Sequence, residues 1–301
     1  MPSTKPITLA HSPDADDLVM WWPLVGQQHP DAGPFSEPQL DTRGLTFNLI
    51  ARDVEELNKL AVQSESAPDA APYDITAVSA AAYPLIADRY AITRAGASFG
   101  EHYGPKLVVP ADSAITTFED LAGDVVAIPG IHTTAHLTLR LAEPNVRVKE
   151  MLFSEIPAAV ANGEADAGLL IHEAQLTLHD QGLRAIADMG QWWGSQTNLP
   201  LPLGLNVVRR DLPDLDQLCD LLAQSVAIAA KEREASKDFL RRAPGSKPEW
   251  QDDALLDQYL DMYVSPMTVD MGDQGKQALE TLYQRAQAAG LIDTVPPLDI
   301  R

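Results

Sequence analysis

The sequence predicts an α/β protein of two lobes, each a mostly parallel sheet flanked by helices, with a ligand cleft between them. Three observations carry this reading. Strand-like and helix-like segments alternate from residue 7 to residue 208, the pattern of parallel sheets joined by crossover helices. Two β-prone stretches, 106–109 and 205–208, each follow a glycine- and proline-bearing segment and read as crossings between lobes. Beyond Asp211 the signal is almost wholly helical. Residues 1–105 and 204–301 are therefore assigned to a discontinuous first lobe, and 106–203 to a second lobe inserted into it.

The elements follow in order. Ile7–Ala10 is a short strand, and Asp16–Val25 reads as a helix after the Ser-Pro-Asp turn. Residues 27–42 are rich in Pro, Gly and Asp and read as a loop or insertion. Leu45–Ala51 is a strand, Asp53 caps a helix running to Gln63, and 64–72 is a polar loop. Tyr73–Val78 is a strand and Ala80–Arg89 a helix. The loop 96–105 bears three glycines and stands where a hinge is expected. In the second lobe, strands are expected at 106–109, 125–128, 146–151, 167–171 and 185–189, with helices at 118–121, 133–141 and 155–162. Helices at 214–242, 251–262 and 271–289 close the chain.

Composition narrows the partners. Lys and Arg number 22 against 43 Asp and Glu, a net charge of −21. Such a field repels nucleic acid and anionic membranes, yet a local nest or helix terminus outweighs it for a small anion at short range. The single cysteine, Cys219, sits in an apolar helical pattern and reads as core. The first residues carry no secretory pattern and no stretch is long and apolar enough to span a membrane, so a cytoplasmic setting is expected. The oligomeric state is not legible.

The motif with most chemical content is Gly168-Leu-Leu-Ile-His172-Glu173. An apolar strand buried on both faces ends in a histidine, and the carboxyl ends of such strands face the ligand crevice. His172 is therefore a candidate general base, with a hydrogen-bonded structural histidine as the alternative. Pro129-Gly130-Ile131-His132-Thr133-Thr134 joins a strand to a helix. Its two hydroxyls and free first-turn amides suit a carboxylate or phosphate, with ordinary capping as the alternative. His132 and His136 are four apart, but Thr133 replaces the glutamate of the zinc-protease pattern, and no metal is expected. The acids Asp14, Asp16 and Asp17 follow the first strand. Helix capping is favoured for them over a Mg²⁺ site, while Ser12 in the same turn is a ligand-contact candidate. Ala77 and Ser79, in a run of small residues ending a strand, allow a ligand close to the backbone. Trp192 and Trp193 suit either stacking on a ligand or covering the core.

Together these blocks resemble the 1,4-dihydroxy-6-naphthoate synthase family of the futalosine route to menaquinone. The matching residues are His11-Ser12-Pro13 with Asp16 or Asp17, Val78-Ser79-Ala80-Ala81 with Tyr83, Asp88-Arg89-Tyr90, Tyr103-Gly104-Pro105, Ile128-Pro129-Gly130 with His132-Thr133-Thr134-Ala135, Ile171-His172-Glu173, and Leu199-Pro200-Leu201-Pro202-Leu203-Gly204. Their order holds from residue 7 into the C-terminal helices. The resemblance implies a type II periplasmic-binding-protein-like fold used as a cofactor-free lyase. It implies cyclic dehypoxanthine futalosine as substrate, opened and aromatised with loss of a sugar-derived fragment. It maps the catalytic histidine onto His172 and ligand contacts onto Ala77–Ser79 and Thr133-Thr134. Asp14-Ala15-Asp16-Asp17 departs from the family's usual Cys-Pro-Asn-Asp. Competing readings are a solute-binding protein for a small anion, a related cofactor-free enzyme such as chorismate dehydratase, and a metal hydrolase built on the acids at 14–17.

Overall fold

The computed structural model of the protein describes residues 6–29, 33–63, 73–175, 178–243 and 246–301. In the first part of the chain the strands are β1 (Ile7–His11), β2 (Gln27–His29), β3 (Gly33–Ser36), β4 (Phe47–Ala51), β5 (Ile75–Ser79), β6 (Tyr90–Ile92) and β7 (Ser98–Gly100). They are followed by β8 (Lys106–Pro110), β9 (Val125–Ile128), β10 (Arg147–Glu150), β11 (Ala167–Leu170), β12 (Leu183–Asp188) and β13 (Leu201–Arg209). The α-helices up to the second sheet are α1 (Ala15–Leu18), α2 (Trp22–Val25) and α3 (Val54–Gln63). Next come α4 (Thr134–Ala142), α5 (Ile156–Ala161) and α6 (Met189–Thr197). The C-terminal set is α7 (Leu215–Lys231), α8 (Arg233–Arg242), α9 (Asp253–Tyr263), α10 (Pro266–Val269) and α11 (Gly272–Ala288).

One sheet runs β4-β1-β5-β13-β6, with β7 also paired to β13, and the other runs β10-β9-β11-β8-β12. Each contains three parallel strands, β4-β1-β5 and β10-β9-β11. The strands that enter from the other lobe, β13 and β8, pair antiparallel to these. Burial on both faces explains the apolar strands: all five residues of β5 and all four of β11 are buried. The C-terminal helices return to the first sheet. α7 turns Leu218, Leu221, Leu222 and Val226 inward, a helical spacing that packs with the buried Trp21 and Trp22. Cys219 lies in the same buried face, as expected. No helix among the described residues is long and apolar enough to cross a membrane.

Several elements differ from the sequence expectation for identifiable reasons. The helix expected over 16–25 is α1, a 3₁₀ turn and α2, broken where Pro23 supplies no N–H. The one expected over 80–89 is a 3₁₀ segment, Ala80–Leu85, containing Pro84. The long helix at 214–242 divides at Glu232, whose ψ of 60 leaves the helical range. Within 27–42 the described residues include the hairpin β2–β3, while the loop expected at 64–72 lies outside the described residues. The short β6 and β7 and the helix α6, which carries both candidate tryptophans, lacked a strong periodic signal. Trp193 is buried in the core and donates from its indole to the Pro200 carbonyl at 3.1 Å; Trp192 packs edge-on against Phe118.

Glycine permits close packing at two points that matter for the site. A Cβ on Gly104 would stand 2.5 Å from the Gly190 amide nitrogen, so the segment entering the second sheet lies directly on the start of α6. A Cβ on Gly168 would stand 2.6 Å from Ile156 Cγ2 and 2.8 Å from Val160 Cγ2. Helix α5 therefore sits against β11 at a distance only glycine allows. Gly168→Ala is expected to destabilise the protein by about 1–3 kcal/mol through overpacking. Urea denaturation should show a lower midpoint at an unchanged slope.

Candidate functional site

The strand β11 stops at Leu170, so His172 is carried on the 3₁₀ turn that follows rather than on the strand itself. Its φ is 54°, a left-handed conformation uncommon outside glycine. From that turn the imidazole reaches the first lobe, with Nδ1 3.1 Å from Asp14 Oδ2. Phe153 packs edge-on against the ring at 5.1 Å between centroids. The other nitrogen, Nε2, is buried and has no hydrogen-bond partner among the described residues. His172 lines a cavity of about 90 Å³ together with Asp16, Ser79, Thr134, Ala135 and Leu203. The backbone of Glu173 continues the turn; its side chain is outside the described set.

Asp14 is wholly buried. Burial alone pushes its carboxyl up, but His172 first, then Lys247 and the Ser12 hydroxyl, hold it down at about 2. Lys247 Nζ lies 2.9 Å from Oδ1, and Ser12 Oγ donates to Oδ2. The expectation that the acids serve as helix caps is corrected here. Asp14 stands at the N-cap of α1 but makes no capping bond. Other partners claim the carboxylates: Lys247 reaches Asp14, Tyr259 donates its hydroxyl to Asp16 at 2.7 Å, and Asp17 accepts the amide of Ser12 in its own turn at 2.5 Å. Burial raises the pKa of Asp16, and raises that of Asp17 further with like charge from Asp16.

The threonine pair occupies the cavity wall, with its hydroxyls already engaged. Thr133 caps α4 by accepting from the His136 amide at 3.2 Å and donates to the Gly130 carbonyl at 2.7 Å. Thr134 Oγ1 donates to the Leu203 carbonyl at 2.9 Å and accepts from the Ala81 amide at 3.1 Å, a bridge between the lobes. The anion-binding capacity at this helix start therefore lies with its backbone. The Thr134 and Ala135 amides precede the first intrahelical bond, made by Leu137 to Thr133. The Ser79 hydroxyl accepts from Asn58 Nδ2 at 3.0 Å, and the Ser79 amide donates to Asn58 Oδ1 at 2.8 Å. Ser79 itself lines the cavity, and its hydroxyl keeps a proton to donate.

The histidines spaced four apart turn to separate partners. His132 Nδ1 lies 2.7 Å from Glu55 Oε1, and His136 Nδ1 lies 2.9 Å from the Ile131 carbonyl. Glu55 is buried and approaches where a Cβ on Gly130 would collide with it, so this glycine admits a contact between lobes. Ser12 and Ala77 line a second cavity of about 70 Å³ with Asp16, Asp17 and Asn206, and His172 borders it too. The other five sequence candidates, Ser12, Ala77, Ser79, Thr133 and Thr134, thus line the two cavities that His172 borders. Lys247, Tyr259, Phe153 and Asn206 were not singled out from sequence. Lys247 is 233 positions from Asp14 in a polar turn, where no local pattern marks it.

A menaquinone-biosynthesis family model matches residues 7–288. The 1,4-dihydroxy-6-naphthoate synthase of Streptomyces coelicolor is 33% identical over 303 residues, covering 98% of each chain. That of Thermus thermophilus is 32% identical over 292 residues, covering 96% of this chain and 97% of the relative. A solved structure from Archaeoglobus fulgidus is 36% identical with a TM-score of 0.76, covering 95% of this chain and 98% of that one. The alkanesulfonate-binding protein SsuA of Xanthomonas axonopodis pv. citri shares the fold at 16% identity and a TM-score of 0.68, covering 100% and 99%.

The raised pKa of Asp17 has a measurable sign. A carboxyl raised on folding contributes its stability below the ordinary carboxylate range and loses it as pH climbs through the raised value. Asp17→Asn keeps an acceptor for the Ser12 amide and has nothing to ionise. Its melting temperature relative to wild type should rise as pH climbs above the ordinary carboxylate range and level off once Asp17 of the wild type is ionised. A pH-independent difference between the two proteins would contradict the assignment.

Proposed function

The chain belongs to the menaquinone-biosynthesis family, and from that premise we propose that it is a lyase converting cyclic dehypoxanthine futalosine to 1,4-dihydroxy-6-naphthoate. The observation that carries the assignment of chemistry is the polarised imidazole of His172. An ionised Asp14 accepts only, so the proton between the two resides on His172 Nδ1. In the neutral ring this leaves the Nε2 lone pair as the basic site, and Nε2 has no protein partner among the described residues. Lys247 keeps Asp14 charged and fixed in place.

The substrate carboxylate docks at the start of α4, where the Thr134 and Ala135 amides and the Ser79 hydroxyl converge on the cavity. His172 Nε2 removes a proton made acidic by a neighbouring carbonyl. Ring opening and aromatisation follow, with departure of the sugar-derived fragment. Closure of the lobes on the substrate expels water and strengthens each of these contacts. Asp14 acts on the substrate through the histidine, setting its tautomer and stabilising the imidazolium that forms.

Two variants test the scheme in an assay that follows the naphthoate chromophore. His172→Ala is expected to lower kcat by about 10²–10⁴-fold while retaining affinity for the naphthoate product. Near-wild-type turnover by that variant would sink the proposal. Asp14→Asn should lower kcat by roughly 100-fold or more with a much smaller change in KM, because orientation and charge of the base are lost and the binding walls remain. Binding of the cyclic substrate without turnover by the wild-type protein would favour a solute-binding role.

A further inference from the structure

Two cavities meet at His172, and they differ in chemistry. The larger offers helix-start amides and the Ser79 hydroxyl, donors suited to an anion, and shares the Asp16 and Ser98 walls with the smaller. The smaller is walled by acceptors: the carboxyls of Asp16 and Asp17, and the side chain of Asn206, beside the hydroxyls of Ser12, Ser98 and Thr268. Its volume of about 70 Å³ holds several water-sized groups. Asn206 is 1% exposed, and its amide orientation is set because Nδ2 donates to the Gly96 carbonyl at 2.8 Å. Oδ1 is left buried without a partner among the described residues. A buried acceptor without a donor is costly, and a ligand that supplies the donor recovers that cost. Gly96 is the residue that makes this possible: its φ is +82°, and a Cβ there would lie 2.6 Å from Asn206 Nδ2.

We infer that the smaller cavity is the subsite for a polyhydroxyl portion of the substrate, with Asn206 Oδ1 accepting one of its hydroxyl protons and Asp16, Asp17 and Ser98 addressing the others. The inference rests on the function proposed above and adds to it the division of the substrate between two walls. The carboxylate-bearing ring system lies toward Thr134 and Ala135, and the hydroxylated fragment lies toward Asn206. His172 borders both cavities, so the bond that separates the two fragments is held beside its ring. Asn206 is a specificity residue here, recognising the part of the substrate that leaves.

The test compares two ligands on the same proteins. Wild type, Asn206→Leu and Ser98→Ala are assayed for KM and kcat with cyclic dehypoxanthine futalosine. Each is also titrated calorimetrically with 1,4-dihydroxy-6-naphthoate, which lacks the hydroxylated fragment. Asn206→Leu should raise the substrate KM about tenfold and leave the naphthoate Kd within twofold. Ser98→Ala, at the wall the two cavities share, should raise the substrate KM by a smaller factor; should the leucine variant fail to fold, a larger effect on that KM than on the naphthoate Kd still decides the question. Unchanged substrate KM in the folded variants, or equal weakening of both ligands, would overturn the subsite. Failure of wild type to bind the naphthoate and to turn over the substrate would instead remove the underlying function, and the subsite with it.

Discussion

An ionised carboxylate with no exposure to water is the constraint around which this molecule is arranged. Asp14 sits at the end of the first strand and is fully buried. A buried charge persists only where charges and hydrogen bonds compensate its lost hydration. Its compensation comes from three places: Ser12 beside it, Lys247 from the C-terminal helical region, and His172 from the other lobe. Removing one partner of such a buried pair costs about 3–5 kcal/mol. The requirement therefore joins distant segments of the chain at one point, and that point is where the cleft closes.

The same logic gives the histidine its direction. A carboxylate held at about 2 remains an acceptor throughout the physiological range. Its neighbour must present a hydrogen to it, which leaves the other ring nitrogen, buried and without a partner among the described residues, as the basic one. Contacts elsewhere along the cleft keep the walls in register: Glu55 with His132, and Thr134 with Leu203 and Ala81. The threonine hydroxyl thus aligns the lobes, while the backbone behind it is left to bind an anion.

Much of this arrangement was legible in the chain. The buried strands β5, β9 and β11 announce themselves as short apolar runs, and the residues at their carboxyl ends are the ones that line the cleft. The turn after β1 lines a cavity that His172 borders, as a first strand-to-helix turn is expected to, but the task of its acids was not legible. A carboxylate before a short helix has the same local signature whether it caps that helix or binds a lysine more than two hundred positions away. The distinction depends on tertiary contacts, as does the whole role of Lys247. The conformation of His172 was hidden for a related reason: a strand pattern says where pairing is favoured, not where the backbone will turn left-handed one residue later. Helix breaks at Pro23 and Pro84 were readable in principle, because a missing N–H is a local property, but apolar periodicity outweighed them.

The passage between lobes has a mechanical consequence. The outgoing segment leaves β7 at Gly100, and the returning strand enters at Leu201, its direct partner across the sheet. The two crossing segments therefore leave and return side by side, so a force on either is borne by the same short stretch of hydrogen-bonded sheet. A change at that stretch, such as a side chain at Gly104 pressing on Gly190, would alter the seat of the lobe that carries His172.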